Sequence, residues 1–454
     1  MKPFFDMSML AALGYLSVFL LAGVFLRARF SLLQRFLIPA CLVGGVIGMT
    51  FLNTTGLSGT SPNEFKAIAY HTFTLTFICI ALAGFHNEHT EKPGKTIAQG
   101  SLWMFLMFYL SLAVQGIAAV LLMYGLNLFY NGELLTSTGF LCAQGFTQGP
   151  GQAVSTGLLW EKYGFAGMGD VAMSYASIGF LAAFMLGIPL ANWGIRRKLC
   201  LFPPKEINEE IRTGLLKPGS TLSAGYQVTH PINVDSLAFM TAIVLGVWLI
   251  SFLLADAVTP HVPRGVGGTI WGLFFLLAIA VAFIVRLVID KCGLGHLIDR
   301  GLLSRISGVM VEFVLLSTVT GISIKSLGSY ILPIIVVSAV ITAITFAYIL
   351  YFGRRVPGNS FERTIMMYGT CTGTTPTGLI LLRLVDSEFK TTVPIESGLW
   401  NIGSIVGSMI TGTLVHGVVV YGWGMPATLG GFAAIACICL ICLKLFGLWK
   451  EKQF

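Results

Sequence analysis

Charge is what this 454-residue sequence has least of. Only 11% of its residues are Asp, Glu, Lys or Arg, whereas an average soluble domain has roughly 25%. Hydrophobic residues make up 55%, more than a soluble chain of this length can bury. A soluble enzyme, a disordered protein and a coiled coil are therefore excluded, and the composition predicts an all-α polytopic membrane protein.

Motifs that several classes of function require are also missing. Residues 94–96 (Gly-Lys-Thr) resemble the end of a nucleotide-binding loop, but His89 stands where its first glycine is required, so an ATP-driven pump is not expected. Residues 86–89 (His-Asn-Glu-His) lack the spacing of a metalloprotease motif. The nine cysteines are scattered and most lie in apolar runs, so no disulfide framework is predicted.

Thirteen long apolar runs divide the sequence. Two of them, 134–160 and 361–385, are interrupted at 144–152 and 369–378 by Gln, Gly, Pro and Thr residues, which a lipid-facing helix does not tolerate. They predict re-entrant hairpins, which enter and leave the membrane on the same side. The other eleven predict transmembrane helices at 8–26, 36–52, 67–85, 97–124, 171–195, 237–257, 270–289, 307–324, 330–352, 396–421 and 427–448.

The distribution of basic residues supports this topology. With the N-terminus outside, 23 of the 28 Lys and Arg residues fall on the inside, as the positive-inside rule requires. Counting the hairpins as full crossings would place the basic segment 196–217 outside and destroy the asymmetry. The C-terminus is therefore expected in the cytoplasm. The net charge of +8 belongs to these inside loops, so no nucleic-acid partner is expected.

The two halves of the chain have the same order of segments. Each has four crossings, one hairpin and a fifth crossing, and an odd number of crossings gives the halves opposite orientations. Such inverted-topology repeats are typical of secondary transporters. The predicted domains are a first repeat at 1–195, a cytoplasmic linker at 196–236, a second repeat at 237–421, and an extra C-terminal helix with a cytoplasmic tail at 422–454.

The hairpin tips are the predicted functional site. Gly-x-x-x-Gly occurs at 145–149 and again at 369–373, each time followed by a proline, and the tips are expected to meet near the bilayer midplane. Broken helices expose carbonyls that bind cations and N–H groups that bind carboxylates. The predicted substrate-binding residues are Gln148, Gly149, Pro150, Gly151, Gln152, Gly373, Thr374, Thr375, Pro376 and Thr377. The predicted ion-binding residues are Gln144, Thr147, Thr370, Thr372 and Asn401. Asn401 follows the second hairpin and is expected to pack against it, and Gln115 is another polar residue in mid-span.

A few more polar residues lie within or at the ends of the predicted spans. Glu312 is either functional, as intramembrane carboxylates usually are, or pairs structurally with Arg286. His71 is expected to be a hydrogen-bonded packing residue rather than part of a proton relay. Asp170 and Glu396 each begin the crossing that follows a hairpin, which suits simple helix N-terminal acids as well as site residues.

At the tips the sequence resembles the bacterial sodium/glutamate symporter family. The resemblance is carried by 149–153 (Gly-Pro-Gly-Gln-Ala), 160–165 (Trp-Glu-Lys-Tyr-Gly-Phe), 171–173 (Val-Ala-Met) and 373–378 (Gly-Thr-Thr-Pro-Thr-Gly). The second tip is similar to the Gly-Ala-Thr-Pro-Thr-Ala pattern of typical members. In the first tip, Pro150 stands where that family has a histidine.

The resemblance implies a divergent member of the family. It implies Na⁺-driven import of glutamate or a related carboxylate by alternating access of the elevator type. It also implies a homodimer in the lipid bilayer of the bacterial inner membrane, with Na⁺ as the coupling ion, no cofactor, no other metal and no enzymatic activity. H⁺ coupling or another carboxylate substrate on the same fold remains an alternative, and an ion channel is a more distant one.

Overall fold

A computed structural model shows a chain built from helices. It describes residues 7–35, 38–83, 94–202, 213, 215, 225–230, 232–386 and 390–454, and no strand occurs among them. The helices are α1 Ser8–Arg29, α2 Ser31–Arg35, α3 Ala40–Thr54, α4 Pro62–Ala83, α5 Lys95–Asn127, α6 Thr138–Ala143, α7 Pro150–Lys162, α8 Met168–Arg196, α9 Ser236–Val258, α10 Arg264–Gly272, α11 Phe274–Lys291, α12 Arg300–Thr320, α13 Ile324–Leu327, α14 Ile331–Gly353, α15 Ser360–Thr372, α16 Thr375–Arg383, α17 Val393–His416 and α18 Met425–Leu445.

The long helices suit a membrane. Among the described residues, eight are long and apolar enough to cross one: α1, α4, α5, α8, α9, α12, α14 and α18. The pair α10–α11, bent by 69°, gives a ninth candidate, and α3 is a shorter apolar helix. A polytopic helical membrane protein is therefore confirmed, whereas the total of eleven crossings stays a prediction.

The helix that carries Glu312 begins earlier than the hydropathy indicated. The side chain of Asp299 caps α12, so the helix starts at Arg300 and not at 307. Glu312 then lies roughly 18 Å along the helix, near its middle. The pair between Arg286 and Glu312 does not form, because Arg286 pairs with Asp290 at 2.9 Å instead.

The described helices fall into two compact units. The first contains α1 as far as Val24, together with α3, α4, α9, α10, α11 and α12. The second contains α2, the helices α5 to α8 and the helices α13 to α18. Both predicted hairpins, α6–α7 and α15–α16, therefore belong to the second unit.

Glycine allows close helix packing in the first unit. A Cβ added to Gly45 of α3 would lie 2.6 Å from the Cβ of Val319 on α12. A Cβ on Gly48 would lie 2.7 Å from the ring of Phe19 on α1. Because these two glycines have no side chain, side chains of α12 and α1 pack directly against the backbone of α3. Such close packing at small residues is common in membrane proteins.

His71 of α4 packs among aromatic rings. Its imidazole meets the rings of Tyr70 and Trp248 edge to face, at centroid distances of 5.1 and 5.5 Å. Its Nδ1 has no hydrogen-bond partner among the described residues. The expected packing role is thus visible, but the expected hydrogen bond at Nδ1 is not.

Candidate functional site

The first hairpin is broken at Gly149, directly after a π-helical turn. Gln144–Gln148 form the turn, Gly149 follows with φ 90° and ψ −179°, and Pro150 begins α7. This backbone conformation is accessible to glycine almost alone. Proline has no backbone N–H group, and it is favoured at the first helical position because an N–H group there would have no partner within the helix. Gly151 and Gln152 are already helical, so the interruption is shorter than the predicted 144–152.

The second hairpin has an even shorter break. Gly373 and Thr374 are the only non-helical residues between α15 and α16, whereas the sequence suggested an interruption over 369–378. The two arms lie close together, because a Cβ on Gly369 would be 2.8 Å from the Cα of Gly378. The break between the two arms is therefore confined to Gly373 and Thr374.

Two of the predicted ion ligands bond to their own helix. The Thr370 hydroxyl donates to the carbonyl of Met366 at 2.9 Å, and the Thr372 hydroxyl donates to the carbonyl of Tyr368 at 2.6 Å. Both threonines are buried. Their hydroxyl protons are used within α15, which leaves only oxygen lone pairs for a ligand.

The two tips touch each other. A Cβ added to Gly149 would lie 2.5 Å from Thr374 Cγ2 and 3.3 Å from the carbonyl oxygen of Gly373. Beside this contact, the Thr374 and Thr377 hydroxyls lie 3.1 Å apart. Thr375 and Pro376 are half-buried. The structure thus brings the first and second sets of predicted substrate-binding residues together.

Helix α8 packs against both hairpins through glycine. A Cβ on Gly145 would lie 2.7 Å from the backbone nitrogen of Ala176 in α8. A Cβ on Gly179, in the same helix, would lie 2.6 Å from the carbonyl oxygen of Thr372. Bulkier residues would push the hairpins away from α8, so these glycines position the tips.

Gln115 of α5 joins the two hairpins from the side. It accepts a hydrogen bond from the Thr147 hydroxyl at 2.6 Å, and its Nε2 donates to the Cys371 carbonyl at 2.9 Å. Nε2 also donates to the Thr345 hydroxyl of α14 at 3.0 Å. Gln115 is fully buried. The sequence showed it only as an amide within an apolar run, which is itself a signal of function in a membrane.

Several buried polar groups near the first tip have no partner. The side-chain N and O atoms of Gln144 and Gln152, and the Thr156 hydroxyl, make no hydrogen bond within the described part of the chain. All three residues are at most 1% exposed. Leaving such a group unsatisfied costs roughly 1–3 kcal/mol, so these atoms are available to a ligand or to water.

Helix α17 reaches the first tip through Thr411 rather than Asn401. The Gln148 amide donates to the Thr411 hydroxyl at 3.4 Å. The Asn401 amide donates instead to the carbonyl of Ser397 in its own helix, at 2.6 Å. Ten helical residues span roughly 15 Å, so Asn401 lies well along α17 from this contact. Its role in ion binding stays a prediction.

No charged side chain belongs to either tip. Residues 144–152 and 369–378 contain no Asp, Glu, Lys or Arg, and the described residues form no cluster of His, Cys, Asp or Glu able to hold a metal. Arg363 at the base of the second hairpin is buried and pairs with Glu396 at 2.6 and 2.7 Å. Glu396 therefore forms a buried ion pair in addition to lying in the first turn of α17.

Asp170 is bonded to a distant segment. Its carboxylate accepts a hydrogen bond from the backbone N–H of Ser323 at 2.9 Å, and the side chain is 2% exposed. Asp170 thereby ties the start of α8 to the segment before α13. A structural role explains this burial without a ligand.

Comparison with known proteins identifies the family. The model of the sodium/glutamate symporter family matches residues 5–391. The chain belongs to this family. It is 23% identical to the sodium/glutamate symporter of Escherichia coli (strain K12) over 397 residues, which cover 85% of this chain and 90% of the relative. The sodium/glutamate symporter of Shigella flexneri gives the same values, and that of Haemophilus influenzae is 22% identical over 391 residues, covering 83% and 88%.

Membership in this family makes the chain a membrane transporter and not an enzyme. The identity of 22–23% makes it a divergent member. The matched residues include both hairpins and end before α17 and α18. Both tips therefore lie within the part of the chain that matches the family, whereas α17 and α18 lie beyond it.

Proposed function

We propose that this chain is a Na⁺-coupled symporter that imports glutamate or a related carboxylate across a bacterial inner membrane. The observation that carries the proposal is the contact between the two tips, Gly149 against Gly373 and Thr374, within one compact unit. The names of the relatives support Na⁺ and glutamate as the transported species.

The carboxylate site is built from helix N-termini. Helices α7 and α16 both begin at the contact between the tips, and a helix N-terminus carries free N–H groups and partial positive charge. Neutral donors beside them complete the site, since the tips contain no charged side chain. The residues assigned to the substrate are Gln148, Gly149, Pro150, Gly151, Gln152, Gly373, Thr374, Thr375, Pro376 and Thr377.

The Na⁺ site lies where the helical segment before each break ends, at Gln148 in the first hairpin and at Thr372 in the second. Helix α15 ends at the second tip, where its last carbonyls have no partner within the helix and carry partial negative charge. Thr147, Thr370 and Thr372 supply hydroxyl oxygens, and Gln144 supplies an amide oxygen. Because the tips are uncharged, the charge of Na⁺ offsets that of the carboxylate, and each ligand strengthens the binding of the other.

An elevator-type cycle suits the division of the chain. The first unit takes α1, α3 and α4 from the first half and α9, α10, α11 and α12 from the second. The other unit takes α5, α8 and one hairpin from the first half and α14, α17 and one hairpin from the second. This balance supports the two inverted repeats, 1–195 and 237–421. We further propose a homodimer with the N-terminus outside and the C-terminus in the cytoplasm.

Radiolabelled glutamate uptake into proteoliposomes tests the proposal. An inward Na⁺ gradient should drive saturable accumulation, and a K⁺ gradient of the same size should not. Accumulation driven by a pH gradient without Na⁺ would establish H⁺ coupling instead. A flux that does not saturate with glutamate concentration would indicate a channel. Accumulation of a different carboxylate, with none of glutamate, would show that the substrate is that carboxylate.

A further inference from the structure

The hydrogen bonds of Gln115 have a fixed direction. The atom that faces the Cys371 carbonyl at 2.9 Å must be a donor, because a carbonyl oxygen only accepts. The amide nitrogen therefore points at Cys371, and its second hydrogen points at the Thr345 hydroxyl, 3.0 Å away. The amide oxygen is left facing Thr147.

This direction decides the state of the Thr147 hydroxyl. Its oxygen lies 2.6 Å from Gln115 Oε1 and 3.3 Å from the Cys371 carbonyl oxygen. A hydroxyl has one hydrogen, and the shorter contact takes it. The lone pairs of Thr147 Oγ1 are then free to bind a ligand that needs oxygen acceptors.

The Cys371 carbonyl belongs to the same arrangement. It lies in the last turn of α15, where carbonyls have no partner within the helix, and Gln115 holds it by one N–H group. Thr147 Oγ1 and this carbonyl are two oxygens 3.3 Å apart. Oxygen ligands at 2.3–2.6 Å from a hard cation, set at right angles, lie roughly 3.3–3.7 Å apart.

We propose that Gln115 is a positioning residue for the coupling cation. It turns Thr147 into a pure acceptor and fixes the Cys371 carbonyl beside it, so that one oxygen from each hairpin faces the same Na⁺. The inference rests on the proposed Na⁺ coupling. It adds a residue from outside both hairpins that sets cation affinity without itself being a ligand.

Kinetic variants of the full-length protein in proteoliposomes test this role. Gln115→Met keeps the length of the side chain and removes its polar atoms, so the Na⁺ concentration for half-maximal glutamate uptake should rise at least tenfold. Thr147→Val should produce a similar rise, and Thr147→Ser, which keeps the hydroxyl, should stay within threefold. The glutamate KM at saturating Na⁺ should change by less than threefold in Gln115→Met.

Ser111 provides a matched control. It lies one helical turn before Gln115 on α5. Its hydroxyl donates to the carbonyl of Met107 in its own helix at 2.6 Å, and its oxygen lies 3.2 Å from the Cys371 sulfur, not beside the Cys371 carbonyl. Ser111→Ala should therefore keep the wild-type Na⁺ dependence. Because Gln115 acts partly through Thr147, combining Gln115→Met with Thr147→Val should raise the half-saturating Na⁺ concentration by less than the product of the two single effects.

The outcomes separate the two proposals. A wild-type protein whose uptake ignores Na⁺ refutes the coupling itself. With normal wild-type coupling, a Gln115→Met protein that loses maximal rate or thermal stability at an unchanged half-saturating Na⁺ concentration would show a structural role only and overturn the inference. Should Gln115→Met fail to fold, Thr147→Val decides: a wild-type Na⁺ dependence there also overturns it.

Discussion

At the residue scale, Gly149 meets two demands at once. Its φ of 90° and ψ of −179° suit glycine, and a Cβ there would press on Thr374 of the other tip. The sequence predicted this residue because Gly-Pro-Gly in an apolar run breaks a helix. The sequence also predicted that the two tips meet, but not that Gly149 would face Thr374, because 225 residues separate the two positions.

Gly149→Ala should therefore abolish most glutamate uptake while the protein still folds. The strained backbone costs roughly 1–3 kcal/mol, and the added methyl group separates the tips. Gly164→Ala is the control, since Gly164 also has a positive φ, 96°, but has open space around it. Uptake by both purified variants, normalised to folded protein, measures the difference. Equal activities would contradict the assignment of the tip.

Arg363 and Glu396 form the second residue-scale feature. Both side chains are 0% exposed, and the guanidinium makes two hydrogen bonds with the carboxylate. Arg363 also donates to the carbonyls of Thr96, at 3.0 Å, and Pro357. The sequence assigned Arg363 only to the basic inner side, because the spacing of charges along a chain does not show which of them will pair.

Arg363→Gln should lower the free energy of unfolding by about 3–5 kcal/mol, because it leaves the carboxylate of Glu396 buried and unpaired. Arg286→Gln is the control: its pair with Asp290 is partly exposed, with Asp290 45% exposed, and such pairs contribute about 0–1 kcal/mol. Thermal unfolding in detergent compares the two variants. A smaller loss for Arg363→Gln than for Arg286→Gln would contradict the importance of the buried pair.

At the scale of elements, the sequence predicted a helix break in each of the segments 134–160 and 361–385. The structure has both breaks, but they are shorter than predicted. Polar residues suggested nine and ten interrupted positions, 144–152 and 369–378. The structure keeps most of these residues helical, because threonine hydroxyls bond back to their own helix and Pro150 and Pro376 sit in first turns. Composition therefore shows where a helix breaks more reliably than how far it unwinds.

The C-terminal segment 449–454 is an element that the sequence left without a role. Gln453 donates its backbone N–H to the carbonyl of Arg354 at 2.7 Å. The ring of Phe454 meets that of Phe361, the second residue of α15, at 5.4 Å, and the Arg354 guanidinium lies 5.6 Å from it. The segment thus braces the base of the second hairpin.

Deleting residues 449–454 should destabilise the base of the second hairpin, where α15 begins. Aromatic pairs contribute roughly 0.5–1.5 kcal/mol each beyond their buried area, so a loss of about 1–3 kcal/mol is expected. Hydrogen exchange of Ser360–Thr372 should become faster, and Glu451→Ala, which changes an exposed side chain, should leave it unchanged. Unaltered exchange after the deletion would show that the segment contributes nothing to the hairpin.

At the scale of the whole molecule, both halves of the chain contribute helices to both compact units. Each half supplies its early helices to one compact unit and its late helices, with a hairpin, to the other. Hydropathy and charge counting predicted the repeated order of segments, since both depend on local sequence. They could not predict Gln115 or Thr411 as parts of the site, because each reaches it through contacts between distant helices.

Energetic coupling between Na⁺ and glutamate follows from the uncharged tips. A carboxylate held only by neutral donors and helix N-termini gains from a nearby cation, and the gain must be the same for both ligands. Calorimetric titration of the purified protein with glutamate, in NaCl and in KCl, measures it most directly. We predict at least tenfold tighter glutamate binding in NaCl, reduced in Gly149→Ala. Equal glutamate affinity in the two salts would contradict the proposed Na⁺-coupled site.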